Sequence, residues 1–372
     1  MAAVSFTLLA EDPETGARAG TLHTPHGDVP TPAFMPVGTR GTVKGLMPLR
    51  VRSLGAAMVL ANTYHLMLRP GDEIVRDLGG VHGFSRWDGP MLTDSGGFQA
   101  FSLESRVSLD DDGVTFKSTY DGATVRLTPE RAVEIQENLG ADVAMVLDEC
   151  IGNPAPRDAA ERAVERTLAW ARRCRDAATR PDQALFGIVQ GSLFPDLRKS
   201  CAEALVDMDF PGYAIGGLSV GEERDAMDAM VSATIDSLPR DRPRYLMGVG
   251  APRDFIESVA RGVDMFDCVL PTRNARNASA LIPGGSIRIR RAENRENGSV
   301  LLPGCDCPAC AGGFSRAYLH HLFRTKEMLG PILMSLHNLR FVFRLLDGAR
   351  NAILEGRFPA WLAAARVEHG LS

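Results

Sequence analysis

The chain has 372 residues, 45% of them hydrophobic, and a formal net charge of -5. That is apolar material for one large core or two ordinary ones, and the mild acidity excludes a general nucleic-acid coat while leaving room for a local basic patch. There is neither a long apolar run nor a charged-then-apolar leader, so a soluble, cytoplasmic protein with no membrane partner is expected.

Short alternating segments split by Gly and Pro occupy residues 5–36 and read as antiparallel strands leading into a core strand at 33–37. A regular beat then sets in, of a short apolar strand, a polar end and a helical stretch. The further strand candidates are 57–61, 91–93, 143–147, 185–189, 212–215, 244–247 and 265–270, eight in all with 33–37. Helical stretches fall at 48–53, 129–139, 156–178, 194–208, 224–237 and 253–261, with Pro129 and Pro156 placed where a helix starts well. Eight such units predict an α/β fold of the (β/α)8 TIM-barrel type. A doubly wound open sheet is the alternative, weakened because no GxGxxG follows the first strand. Residues 1–277 are therefore assigned to a barrel carrying the N-terminal strands and a hairpin insertion near 107–127. Residues 278–340, where Cys305, Cys307 and Cys310 are bunched ahead of His337, are assigned to an inserted zinc-binding subdomain, and 341–372 to a C-terminal helical segment packing back on the barrel.

Polar residues gather at the C-terminal ends of these strands, where barrel active sites lie. They include Asn62 and His65, Asp94 through Gln99, Asp148-Glu149-Cys150, Gln190, the Gly216–Gly221 turn, and Gly248. The last strand holds Asp267, a carboxylate that packing does not need, followed by Thr272, Arg273, Asn274, Arg276 and Asn277, read as a loop of cations and amides suited to phosphate or ribose oxygens. A carboxylate such as Asp148 can accept two parallel N–H bonds from a guanine edge, and a Gln or backbone N–H can donate to its O6. Phe98 and Met247 can wall a slot for a flat base. Two further carboxylates, Asp94 and Asp267, suit attack at an acetal carbon, one as nucleophile and one moving a proton. His65 reads as a hydrogen-bonding structural residue.

Cysteine usage points to metal rather than disulfides. Cys150, Cys174, Cys201 and Cys268 are scattered singly, whereas Cys305, Cys307 and Cys310 are bunched and followed 27 positions on by His337. Three thiolates and one imidazole form a closed four-ligand set, which predicts one structural Zn2+ per chain. His320 and His321 compete for the fourth place but sit mid-helix, while His337 is placed at a helix start. Six arginines between Arg273 and Arg295 form a candidate phosphate track.

The motifs LTDSGGFQ, LDEC, GGLSVGE, YLMGVG, DMFDCVLPTR and C-x-C-x2-C…H, in this order over nearly the whole chain, resemble those of the bacterial-type tRNA-guanine transglycosylases (queuine tRNA-ribosyltransferases). The resemblance implies a zinc-containing barrel enzyme of queuosine biosynthesis. Such an enzyme exchanges the wobble guanine (position 34) of tRNA for a 7-deazaguanine, here taken as 7-aminomethyl-7-deazaguanine, through a covalent RNA intermediate. It implies Asp267 as nucleophile and Asp94 as general acid/base. Asp148, Gln190, Gly217 and Leu218 would lie along the base, Phe98 and Met247 on its faces, and Asn62 and Gln99 near the ribose. Arg273 and Arg276 would contact RNA, and the zinc subdomain would form a homodimer. Two rivals are a silent tRNA-binding accessory subunit and a metal-dependent barrel hydrolase. Retention of three carboxylates speaks against the first; the closed metal set and the lack of an HxH at the first strand end speak against the second.

Overall fold

Eight short strands that are apolar on both faces and alternate with helices can be buried in a parallel sheet closed on itself. The structure, a computed structural model describing residues 4–99 and 107–371, shows that arrangement. The barrel strands are β1 (Ala33–Gly38), β2 (Val59–Ala61), β3 (Met91–Thr93), β4 (Val143–Met145), β5 (Ala184–Val189), β6 (Tyr213–Ile215), β7 (Arg244–Leu246) and β8 (Met265–Cys268). They are ordered around the barrel as in the chain, and Met265 opposite Ala33 and Phe266 opposite Phe34 close it. Nearly all their residues are buried, and Asp267 in β8 is partly exposed.

The N-terminal face is sealed by the antiparallel sheet Ser5–Glu11, Arg18–Thr24 and Gly27–Thr31. Its Arg18 forks onto the buried Asp264 at 2.9 and 2.6 Å, and Asp264 also accepts the Arg244 N–H at 2.7 Å. Beside it the rings of His26 and His82 stack at 3.6 Å, and each hydrogen-bonds Asp142 (2.8 and 3.2 Å), which also accepts the Met91 N–H. These groups are hydrogen-bonded to one another and stitch strand beginnings together, so the base of the barrel is structural. On the opposite face the 107–127 stretch forms a small antiparallel sheet, Ser108–Asp110, Gly113–Lys117 and Thr124–Leu127.

Two readings of the sequence are corrected. Residues 272–277, expected as a loop, belong mostly to helix Leu270–Arg276, because Pro271 sits in its first turn, where its missing N–H costs nothing. His337, expected at a helix start, lies in the middle of the 26-residue helix Leu329–Leu354. That helix runs unbroken through residue 340 and joins two cores. Leu333 and Met334 pack with Leu301, Leu319 and Phe323 in a second apolar cluster, while Phe343 meets Phe34 of β1. Asn338 locks the junction, accepting from the Leu281 N–H at 2.7 Å and donating to the carbonyls of Pro271 (2.9 Å) and Ser279 (3.0 Å).

Candidate active site and metal centre

At the C-terminal ends of the strands a cavity of about 340 Å3 is lined by Asn62, Asp94, Phe98, Gln99, Asp148, Gln190, Gly217, Leu218, Met247, Asp267 and Arg273. Eight short strands that stop at the same level bring together residues spread over more than half the chain. Arg276 lies outside the lining, one turn beyond Arg273, half-buried and held below its ordinary range by burial and by Arg273. His65 is also outside it. Its backbone N–H is capped by Asn62, and its ring lies edge-on to Tyr64.

Asp94 follows β3 directly and is buried. Its carboxylate accepts the Asn62 side-chain N–H at 2.5 Å, the Thr63 N–H at 3.0 Å and the Gly96 N–H at 3.1 Å. The last bond requires the left-handed turn at Gly96 (φ 80°), where a Cβ would fall 3.1 Å from the Tyr64 nitrogen. Burial, together with the neighbouring Asp267 charge, lifts the Asp94 pKa to about 7 against the opposing bonds from Thr63, Gly96 and Asn62. A carboxyl so placed can hold or release a proton near neutrality.

Asp267 is arranged differently. Tyr245 Oη–H (2.6 Å) and the Gly248 N–H (2.8 Å) both donate to its Oδ1, leaving Oδ2 without a partner among the described residues. Burial raises its pKa, while the Gly248 and Tyr245 bonds stabilise the charged form and oppose that. One oxygen is fixed and the other is free to react. Asp148 receives the Gln190 Nε2–H at 2.7 Å, and burial lifts its pKa to about 6. Cys150 and Cys268 also line the cavity, but burial pushes both thiols up to about 12, so neither is a thiolate nucleophile.

Sequence reasoning missed Tyr245 and Thr63. Tyr245 looks like strand packing, yet it shares strand parity with Met247, which already points to the mouth of the barrel. Thr63 acts through its backbone, which no side-chain pattern reveals.

Away from the cavity, the Cys305, Cys307 and Cys310 sulfurs lie 3.8, 3.4 and 3.5 Å from His337 Nδ1. A tetrahedral ion with metal–sulfur bonds of about 2.3 Å and a metal–nitrogen bond of about 2.0–2.1 Å would put sulfur and nitrogen about 3.5–3.6 Å apart. The four buried donors therefore form a set able to hold one metal ion. His337 Nε2–H donates to the Leu281 carbonyl at 2.8 Å, which turns Nδ1 toward the thiols. His320 is engaged elsewhere, through Nδ1 on the Ile289 carbonyl.

The family described as queuine tRNA-ribosyltransferase matches residues 12–370. The chain belongs to that family. Among similar proteins named queuine tRNA-ribosyltransferase, that of Pelotomaculum thermopropionicum is 54% identical over 355 residues, 95% of this chain and 96% of the relative. One from Thermus thermophilus is 56% identical over 342 residues (92% and 89%), and that of Granulibacter bethesdensis 53% over 372 residues (98% of both). Membership makes the chain a transferase of the tRNA-guanine transglycosylase class. No helix among the described residues is long and apolar enough to cross a membrane.

Proposed function

We propose that this enzyme exchanges the guanine at the wobble position (34) of tRNA for 7-aminomethyl-7-deazaguanine by double displacement at one ribose carbon. The observation that carries the reading is the contrast between two carboxylates in one cavity: Asp267 with a free oxygen, and Asp94 with a pKa near 7. Asp267 Oδ2 attacks C1′ as the bond to guanine breaks, and Asp94 protonates the departing base. The incoming base returns that proton to Asp94 as its nitrogen displaces Asp267, so two inversions retain the configuration. Asp148 and Gln190 hold the base edge, with the Gly217 backbone, and Phe98 and Met247 take its faces. Phe98 is 44% exposed, open enough to close on a ligand. Asn62 and Gln99 lie beside the ribose, and Arg273 and Arg276 face the RNA backbone. In this reading residues 1–277 carry the chemistry and 278–340 a structural Zn2+ held by Cys305, Cys307, Cys310 and His337. Residues 341–372 brace the two. Seven unpaired thiols fit a cytoplasmic setting.

Binding should depend on pH through Asp148. Two N–H donors on the base require its ionised form, and that form is lost as pH falls through about 6. Guanine affinity measured by calorimetry should drop about fivefold from pH 6 to pH 5, and Asp148→Asn should flatten that profile while weakening binding throughout.

The substituent at position 7 is read by Leu218, Val220 and Cys150. Glu222 accepts the N–H groups of Ser219 and Val220, the second at 3.1 Å. The Ser219 N–H is thereby turned from the cavity, and the Leu218 carbonyl of the same peptide toward it, where it can accept from an ammonium. A branched Val220 leaves room for an aminomethyl group and little for the cyclopentenediol of queuine, despite the name the relatives carry. With both bases in competition on an anticodon stem-loop, the parent should incorporate the aminomethyl base at least several-fold faster. Val220→Gly should narrow the ratio, and efficient use of queuine by the parent would remove these side chains as the selector.

Assembly follows from the helix after the metal ligands. Phe314, Tyr318 and His321 form one stacked row, with centroids 5.9 and 6.5 Å apart, and Tyr318 is 40% exposed. An exposed aromatic row fits a symmetric homodimer through the zinc subdomain. Light scattering at micromolar protein should give twice the chain mass, and Tyr318→Ala should shift it toward one.

A further inference from the structure

Beneath the base shelf lies a cation that the mechanism above does not use. Arg198, on helix Pro195–Val206, is fully buried, and among the described residues no carboxylate lies within ion-pair distance of it. Its guanidinium is spent on carbonyls. Nε donates to Ser192 O at 2.7 Å, both Nη atoms donate to Gly216 O at 3.1 Å, and Nη2 reaches Gly217 O at 3.4 Å. Glycines make this approach possible. A Cβ on Gly191 would fall 2.7 Å from the Arg198 backbone nitrogen and 2.9 Å from its Cγ, and one on Gly217 (φ 64°) 2.3 Å from Gln190 Oε1.

A trans peptide sets its C=O and N–H on opposite sides. Since the Gly216 carbonyl is drawn down onto Arg198, the N–H of that same peptide, on Gly217, must face the other way. It lies against the thiol of Cys150, which lines the cavity. A cation on the carbonyl also polarises the peptide and strengthens the opposite N–H as a donor.

We propose that Arg198 is a positioning residue for base selection: by holding the Gly216 carbonyl from below, its guanidinium presents the Gly217 N–H to the 6-keto oxygen of a guanine-type base. This rests on the reading of the cavity as a guanine site. It also gives a reason for a buried, carboxylate-free cation, since a carboxylate partner would compete with the carbonyl for its N–H groups.

The test compares guanine with 6-thioguanine, which keeps the donor edge for Asp148 but puts a poor acceptor at position 6. Calorimetric affinities are measured for the parent, Arg198→Lys, which keeps charge without the fork, and Arg198→Met, which keeps bulk without charge. Guanine affinity is expected to fall about tenfold in Arg198→Met and less in Arg198→Lys, while 6-thioguanine affinity stays within about twofold. Equal losses for both bases, or no loss for either, would overturn the proposal. Should neither variant fold, the parent decides: guanine must move the Gly217 amide proton downfield in its NMR spectrum more than 6-thioguanine does, and equal shifts would overturn the proposal. A parent that fails to bind guanine at all would sink the reading of the cavity. Guanine binding with unchanged selectivity in the variants would sink the Arg198 assignment alone.

Discussion

Asp267→Asn should lower the rate of base exchange by about 10^4-fold or more while changing tRNA affinity by less than about threefold. An amide of the same shape keeps a hydrogen bond with Tyr245 or Gly248, so the cavity should persist, but it supplies no anionic oxygen to C1′. Asp94→Asn should act differently. It retains a nucleophile and loses the proton carrier, so the RNA adduct should still form, slowly, with the base leaving unassisted. Reversed phenotypes, with an adduct surviving in Asp267→Asn and lost in Asp94→Asn, would exchange the two roles. Stopped-flow exchange and denaturing gels on both variants decide between these outcomes.

The second large effect concerns the metal. Cys307 contributes a sulfur to the four-donor set and also accepts the Cys310 N–H at 3.3 Å, starting the short helix Pro308–Ala311. Cys307→Ala removes both. The free energy of a structural zinc site is largely folding free energy of the segment around it. Here that segment includes Leu301, Leu319 and Phe323, whose small core would be left to hold together alone. Zinc content by mass spectrometry should fall from one per chain to none, and the melting temperature should drop by at least about 10 °C. Because helix Leu329–Leu354 carries His337 and also packs on the barrel, some of the loss should reach the barrel itself. A metal-free variant that melts and binds RNA like the parent would remove the structural role.

The barrel is legible in the chain because each strand is short, apolar and followed by polar residues, a period that packing alone imposes. Strand ends such as Thr93-Asp94 and Met145 onward can be placed within a few residues for the same reason. What the sequence hides is backbone work. Residues 272–277 read as loop since their Arg and Asn content suits a phosphate site, yet Pro271 starts a helix that continues to Arg276. Tyr245 is indistinguishable from packing until its hydroxyl is seen 2.6 Å from Asp267. Arg198 looks like one more helix-surface arginine, and only the fold shows it buried under Gly216. Parity along a strand can recover Tyr245; no local pattern recovers Arg198, because its partners are carbonyls.

In the proposed reaction the ribose passes through a bond to Asp267. The most direct measurement mixes the enzyme with an anticodon stem-loop carrying labelled guanine at position 34, with no incoming base, and follows both label and protein mass. Trapped RNA is expected on the protein, up to one stem-loop per active site, with a matching burst of released guanine. After digestion, the sugar should map to the peptide containing Asp267, and added 7-aminomethyl-7-deazaguanine should discharge it. Guanine released only when the incoming base is present, with no RNA on the protein at any time, would show a single displacement and rule out the bond to Asp267.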